Sequence, residues 1–292
     1  MPRSGYTIIE AMLFITISSS MFVLAMISFS GRQQQVQFTQ AVRELDAKIL
    51  DTINDVTTGY FSNDGSLKCT ANSSRPIISN ADATDANRRG SNNDCVLVGK
   101  ALQFYPEDNN GGTDNRSLLY VYNIVGKRLE RPDGDSTQSL DEAKPVTTSP
   151  TAPNSTNDVT EKSELKYGLR VIKVATEEAI PKESAVIGLF TRFTKTFSST
   201  QFSEGQSVSS SLIPGLSNTS TQYDAANKIN LVTDSSPPSP GDSYIDTASA
   251  TPIVICLADA GGERRASITI GGGGQASTRV DFDTYNKAVC GG

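Results

Sequence analysis

The sequence predicts an α+β protein, in which one long N-terminal helix over about residues 6–57 packs on an antiparallel β-sheet head with long polar loops. Three observations carry this. Residues 6–29 read YTIIEAMLFITISSSMFVLAMISF, an apolar stretch whose only charge is Glu10. The chain then continues without proline through an amphipathic segment. Beyond it come seven short runs rich in Val, Ile, Tyr and Phe, separated by turn clusters.

The apolar stretch has 24 residues, which at about 1.5 Å each span about 36 Å, enough for a hydrocarbon core of about 30 Å. A secretory signal peptide carries a shorter apolar region before a small-x-small cleavage site. Ser28-Phe29-Ser30 fits that site loosely, but the stretch is too long, and it reads as a retained membrane helix over 6–30. Arg3 and the initiator amine lie on the short side, so the positive-inside tendency leaves the bulk of the chain outside the cell membrane, although Arg32 and Arg43 flank the far end.

The segment 31–58 extends the same helix. Its apolar residues are Val36, Phe38, Val42, Leu45, Ile49, Ile53 and Val56, and the steps from Val42 to Val56 trace one stripe. Arg43, Glu44, Asp46, Lys48 and Asp51 occupy the other faces, and Gly59 is the natural stop.

The remainder, 59–292, reads as an exported β-rich head. Candidate strands are 96–105, 118–125, 165–175, 185–193, 252–257, 266–270 and 279–282. Two stretches, 132–164 and 198–250, are dominated by Ser, Thr, Asn, Asp and Pro; they bury too little to offset ordering entropy and read as flexible insertions. Cys69, Cys95, Cys256 and Cys290 lack C-x-x-C spacing and suit disulfides in an oxidising exterior. Three connectivities are open. Proximity along the chain favours Cys69–Cys95 and Cys256–Cys290, each contributing about 3 kcal/mol by loop entropy.

Composition disfavours an enzyme. The chain has 292 residues, a formal charge of -6 and no His, which removes Ser-His and Cys-His triads and His-based zinc sites. The glycine run 271–274 lacks the Lys-Ser/Thr of a phosphate loop and reads as a hairpin turn. Asp108 and Asp114 flank an oxygen-rich turn without the closing Glu of an EF-hand. The pairs Asp133/Asp135 and Glu177/Glu178 read as solvated surface, and the Asn-x-Ser/Thr sites at Asn72, Asn115, Asn154 and Asn218 as products of Ser/Asn-rich loops. No cofactor or metal is expected. Arg264, Arg265 and Arg279, with Arg88, Arg89, Arg128 and Arg131 elsewhere, are the candidate DNA-binding residues, on a chain whose overall charge opposes that use.

The N-terminus carries a family resemblance. Ser4-Gly5, then Tyr6-Thr7-Ile8-Ile9-Glu10 running into the apolar stretch, resembles the start of type IV pilins and pseudopilins: a short basic leader (1–5) ending in Gly, an aromatic, Thr, two aliphatics and Glu. The resemblance implies a pilin-like fold, cleavage between Gly5 and Tyr6 by a prepilin peptidase, and methylation of the new amine on Tyr6. It makes Glu10 the assembly glutamate. The implied partners are other pilin subunits and a membrane assembly platform, with the membrane before assembly and an extracellular filament after it. Tyr stands where the family usually has Phe, and no proline interrupts the helix; Ser18-Ser19-Ser20 and Gly31 are the places where it would loosen.

At the other end, the run Ile255–Asp259 and the glycine-marked turn into Ala266–Gly271 resemble the C-terminal hairpin of minor pseudopilins of the FimT and type II secretion kind. That points to a minor subunit. The alternatives from the sequence are an anchored binding module that captures DNA or a host or abiotic surface, and an uncleaved bitopic surface protein.

Glu10 is notable on physical grounds alone. A carboxylate at the centre of a bilayer costs about 2.5–3.5 kcal/mol, so such a residue normally has a partner. In the filament that the resemblance implies, the freed amine of Tyr6 on a neighbouring subunit would be that partner.

Overall fold

The computed structural model describes residues 7–60, 67–71, 75–80, 95–105, 115–127, 143–148, 160–191, 208–217, 219–232, 251–271, 276–282 and 286–291. Helix α1 runs unbroken over Ile8–Thr58, 51 residues and about 76 Å. Thr7 caps its start, the hydroxyl accepting from the Glu10 N–H at 3.3 Å. At its end Gly59 adopts φ +68°, the Tyr60 N–H donates to the Asp55 carbonyl at 2.8 Å and the Gly59 N–H to the Val56 carbonyl at 3.3 Å. This is a Schellman close, and its left-handed residue is why glycine stands there.

Along its length α1 changes character. From Ile8 to Met26 every side chain is exposed, Ile8 at 78% and Phe14 at 73%. From Phe38 onward the stripe Phe38, Ala41, Val42, Leu45, Ile49, Ile53 and Val56 is buried. Val36, which the sequence groups with those apolar residues, points outward instead.

Among its described residues the head contains two antiparallel sheets and a hairpin. Strands β1 (Leu67–Ala71) and β2 (Pro76–Asn80) pair with each other. A six-stranded sheet contains β3 (Cys95–Phe104), β4 (Leu118–Lys127), β5 (Val146–Thr147), β6 (Glu161–Glu164), β8 (Val186–Thr191) and β9 (Val208–Leu212). Its order is β5-β4-β3-β8-β9, with β6 also on β4. A four-stranded sheet has the order β12-β11-β10-β7, built from β7 (Arg170–Thr176), β10 (Ile253–Ala258), β11 (Arg265–Ile270) and β12 (Thr278–Asp281). Helix α1 lies against β3, β8 and β9 of the first sheet and β12 of the second, so one continuous core joins both sheets to the helix.

The register explains how both faces of the larger sheet are covered. Lys100 and Gln103 on β3 are an odd number of residues apart and point to opposite faces. Lys100 reaches Asp55 on α1, while Gln103 donates to the Ser220 and Thr221 carbonyls at the start of α2 (Gln222–Val232). The buried Tyr122 hydroxyl donates in turn to Gln103 Oε1. Helix α2 buries Ala225, Ala226 and Ile229, and Asn230 Oδ1 accepts from the Thr147 N–H of β5 at 3.1 Å.

Three sequence expectations are corrected. The stretch 198–250, read as a flexible insertion, contributes β9 and α2 to the core. The stretch 132–164 contributes β5 and β6, and Ala143 is completely buried. The run 165–175, read as one strand, is broken at its start by a turn in which Tyr167 (φ +55°) and Gly168 (φ +69°) are both left-handed and the Leu169 N–H closes on the Lys166 carbonyl at 3.1 Å. That is a type I′ turn with Tyr where Asn or Asp is usual.

Candidate functional site

Two surfaces of α1 and its joints to the head form the candidate site. The first surface is the exposed apolar half. Among the described residues α1 is the single helix long and apolar enough to cross a membrane. Glu10 sits in its first turn, exposed, where the helix dipole favours a negative charge. Gly5 and Tyr6, where the resemblance places cleavage, lie outside the described residues.

The second surface is the solvent side of the head-bound half. Val36, Gln40, Arg43, Ala47 and Leu50 are all exposed, and their 4-3-4-3 spacing lays one straight seam along the helix. A groove of about 590 Å³ opens along it, lined by Gln35, Val36, Thr39, Gln40, Arg43, Glu44 and Ala47. Opposite this seam lies the buried stripe, so the two halves of the helix surface are divided between head and exterior.

Among the described residues, four polar joints fix α1 to the head. Gln34 Oε1 accepts from Arg264 Nη2 at 3.2 Å, and Glu44 meets Lys166 Nζ at 3.1 Å. Lys48 pairs with Glu161 on β6, and Asp55 with Lys100 Nζ at 2.6 Å. Hydrogen bonds from Lys166 and from Gln40 hold the Glu44 carboxyl below the usual carboxylate range. The Lys100 side chain is only 7% exposed, which makes this joint the one where charge pairing matters most. Sequence reasoning missed all four joints. Lys100 had left a trace, as the single charge in the strand CVLVGKALQF.

Among the described residues, Arg279 stands apart from Arg264 and Arg265. Arg264 is built into the β10–β11 turn: Nη1 bonds Asp259 Oδ2 at 2.9 Å and its N–H bonds Asp259 Oδ1 at 3.2 Å. Arg265 is exposed at the start of β11. Arg279 is exposed on β12 opposite Thr269, four residues or about 14 Å along the sheet from Arg265. Arg88, Arg89, Arg128 and Arg131 lie outside the described residues, as do Asp108, Asp114, Asp133 and Asp135. Among the described residues no group of three or more His, Cys, Asp or Glu is placed to hold a metal ion.

Both disulfides lock a cover onto a sheet. Cys69–Cys95 ties the β1–β2 hairpin to β3, over Leu97 and Val125. Cys256–Cys290 ties α3 (Lys287–Cys290) to β10, with Val289 packed on Ala175 and Val254. Asn286 caps α3 and donates to Glu177 Oε1 at 2.8 Å, which fastens the segment at its other end. Glu177 is thereby structural, and Glu178 forms an ion pair with Lys182 at 3.9 Å.

Comparison with protein-family models, with curated proteins and with solved structures gives no match.

Proposed function

We propose that this chain is a structural subunit of a type IV pilus-like filament, in a minor position. It is held in the membrane by the exposed half of α1, processed between Gly5 and Tyr6, and polymerised through α1. The observation that carries this reading is the division of one unbroken helix: an exposed apolar half opening on Thr7-Ile8-Ile9-Glu10, and a half whose stripe is buried in the head. A membrane anchor alone needs only the first half. A rod that must transmit axial position from lipid to head needs both halves to be one rigid element, and the four polar joints serve that end.

Polymerisation follows from the two surfaces. Out of lipid, the apolar residues from Ile8 to Met26 must be covered, and at about 25 cal/mol per Å² that burial is the main driving force between subunits. The seam from Val36 to Leu50 extends the contact above the membrane. Glu10 sets the register, its carboxylate meeting the freed amine of a neighbouring Tyr6 in a low-dielectric surrounding where the pair excludes other alignments. Large heads with long polar stretches suit a low-copy subunit.

The test is substitution at Glu10 in cells that make the filament. Glu10→Leu removes the charge and keeps the helix, so the variant is expected to accumulate in the membrane and to be lost from sheared filaments. Glu10→Asp retains part of the incorporation. Glu10→Leu entering filaments at the unmodified level would refute the assembly role.

A further inference from the structure

The two sheets of the head meet at a crease that the assembly reading does not use. Its walls come from opposite sheets: Glu164 ends β6, opposite Leu118 at the start of β4, and Arg170 opens β7, opposite Ala258 of β10. The Leu165 N–H donates to the Ser117 carbonyl at 2.6 Å, which carries the β6–β4 pairing into the crease. The cavity holds about 620 Å³, within the size of small-ligand sites, and Ser117, Glu164, Leu165, Lys166, Tyr167 and Arg170 line it.

Tyr167 is the residue that its local structure does not call for. Its φ of +55° is left-handed, where a Cβ is strained, and Asn, Asp or Gly normally stands at that corner of a type I′ turn. Packing does not explain it, because the residue is 48% exposed. Among the described residues none is hydrogen-bonded to its hydroxyl. The turn that carries it is nevertheless firmly seated. Leu165 and Leu169 are buried on either side, Lys166 is held by Glu44, and Gly168 lies so close to Ala260 that a Cβ would come within 3.2 Å of it. The ring is held beside the crease against a backbone preference, the pattern of a position kept for binding and not for stability.

The lining selects the class of ligand. Lys166 and Arg170 are balanced by Glu164 and by Glu44, which pairs with Lys166 at 3.1 Å, so the crease has no positive excess for a polyanion. It offers an aromatic face beside a carboxylate that accepts, a guanidinium and an ammonium that donate, and a hydroxyl that does both. A pyranose matches that set. One of its faces presents polarised C–H groups to the negative face of an aromatic ring, and its hydroxyls, each donor and acceptor, surround the rim. We infer that the crease binds a neutral saccharide, with a pyranose stacked on Tyr167 and its hydroxyls bonded by Glu164 and Arg170. The inference is independent of the filament reading, since it needs neither processing nor polymerisation.

The experiment uses the full chain with both disulfides intact, in a detergent without a sugar headgroup. Maltohexaose, cellohexaose and N-acetylchitohexaose are titrated in by calorimetry, with heparin and an oligothymidylate as anionic probes. At least one neutral hexasaccharide is expected to bind, with an affinity unchanged at high salt. Tyr167→Phe should keep that affinity within about threefold, and Tyr167→Asn should weaken it about tenfold or more. Because Asn suits the left-handed corner, Tyr167→Asn should also leave the urea midpoint unchanged or raise it. Failure of all three neutral probes at millimolar concentration overturns the inference, as does unweakened binding by Tyr167→Asn or binding of the anionic probes alone. A lowered urea midpoint in Tyr167→Asn would show that the ring serves packing, and overturns it too.

Discussion

Replacing Asp55 should cost more than replacing Lys100, although the two form one pair. The Lys100 ammonium is 7% exposed and lies 2.6 Å from the Asp55 carboxylate, whose own side chain is 34% exposed. Asp55→Ala leaves a cation buried between α1 and β3 without its counter-charge. For a fully buried pair such a loss costs about 3–5 kcal/mol; water reaching the vacated Asp55 site reduces it here to about 2–3 kcal/mol. Lys100→Met removes the cation and keeps most of the packing. The Asp55 carboxylate left behind can turn to solvent, so the cost is about 1 kcal/mol or less. The assay is urea unfolding of the full chain in detergent with both disulfides intact. With a slope of about 3 kcal/mol per M, Asp55→Ala should lower the midpoint by about 0.7–1 M and Lys100→Met by about 0.3 M or less. The double variant should resemble Lys100→Met. Equal costs for the two single variants would mean that the joint acts by packing, and the reasoning from buried charge would fall.

Two further outcomes follow from the packing. A Cβ at Gly126 would stand 2.7 Å from the Ala143 Cβ and 2.9 Å from Val98 Cγ1, so Gly126→Ala should destabilise by about 1–3 kcal/mol in the same assay, and an unchanged midpoint would show that Ala143 is not seated there. Tyr105 is pushed up to about 12 from 10.0, first by burial and then by the nearby Glu183 carboxylate. A phenol whose folded value is raised binds its proton more tightly in the folded state, so this contribution is intact below pH 10 and is lost as pH rises towards 12. Wild type should therefore lose stability relative to Tyr105→Phe over that window, by up to about 2 kcal/mol, and parallel curves for the two proteins would contradict the burial of the hydroxyl.

The helix was the most legible part of the structure, because its signals are long and agree. An apolar run, a stripe from Val42 to Val56 and a glycine at 59 each speak for the same element, and α1 ends where Gly59 closes it. The strands β3, β4, β8 and β10 were legible for a similar reason, since Val, Ile, Leu, Tyr and Phe make up half or more of each, and β11 through its Ile268-Thr269-Ile270 run. What failed was composition as a guide to burial. Strand β9 reads VSSSL, yet Ser209 and Ser210 are buried, the Ser209 hydroxyl donating to the Phe190 carbonyl at 3.4 Å. Serine is small enough to lie under a neighbouring element, and its polar atom is satisfied locally, so a polar run can be core. Helix α2 buries mainly alanines, which give little hydropathy signal. Its start did carry one: Thr221 and Asp224 bond each other's N–H groups at 3.2 and 2.9 Å, a capping box visible as TQYD. The Tyr167-Gly168 turn was hidden because Tyr is a strand former and rarely takes a left-handed backbone.

Of the candidate site, the cysteine pairs were legible, because proximity along the chain favours Cys69–Cys95 and Cys256–Cys290, the pairs that form. The joints of α1 to the head were not. Gln34 and Arg264 are 230 residues apart in sequence, and Lys48 and Glu161 are 113 apart, so only the fold brings them together. Arg264 read as a surface cation because arginine in a turn is usually solvated, whereas its guanidinium is held by Asp259, five residues away, and by the distant Gln34.

The central claim is that α1 begins life behind a short leader and works after its removal. The most direct measurement is the intact mass and N-terminal residue of the protein isolated from its native membrane. The account predicts a chain beginning at Tyr6 with a methylated amine. A chain beginning at Met1, or at Gly31 after loss of the apolar stretch, would contradict it.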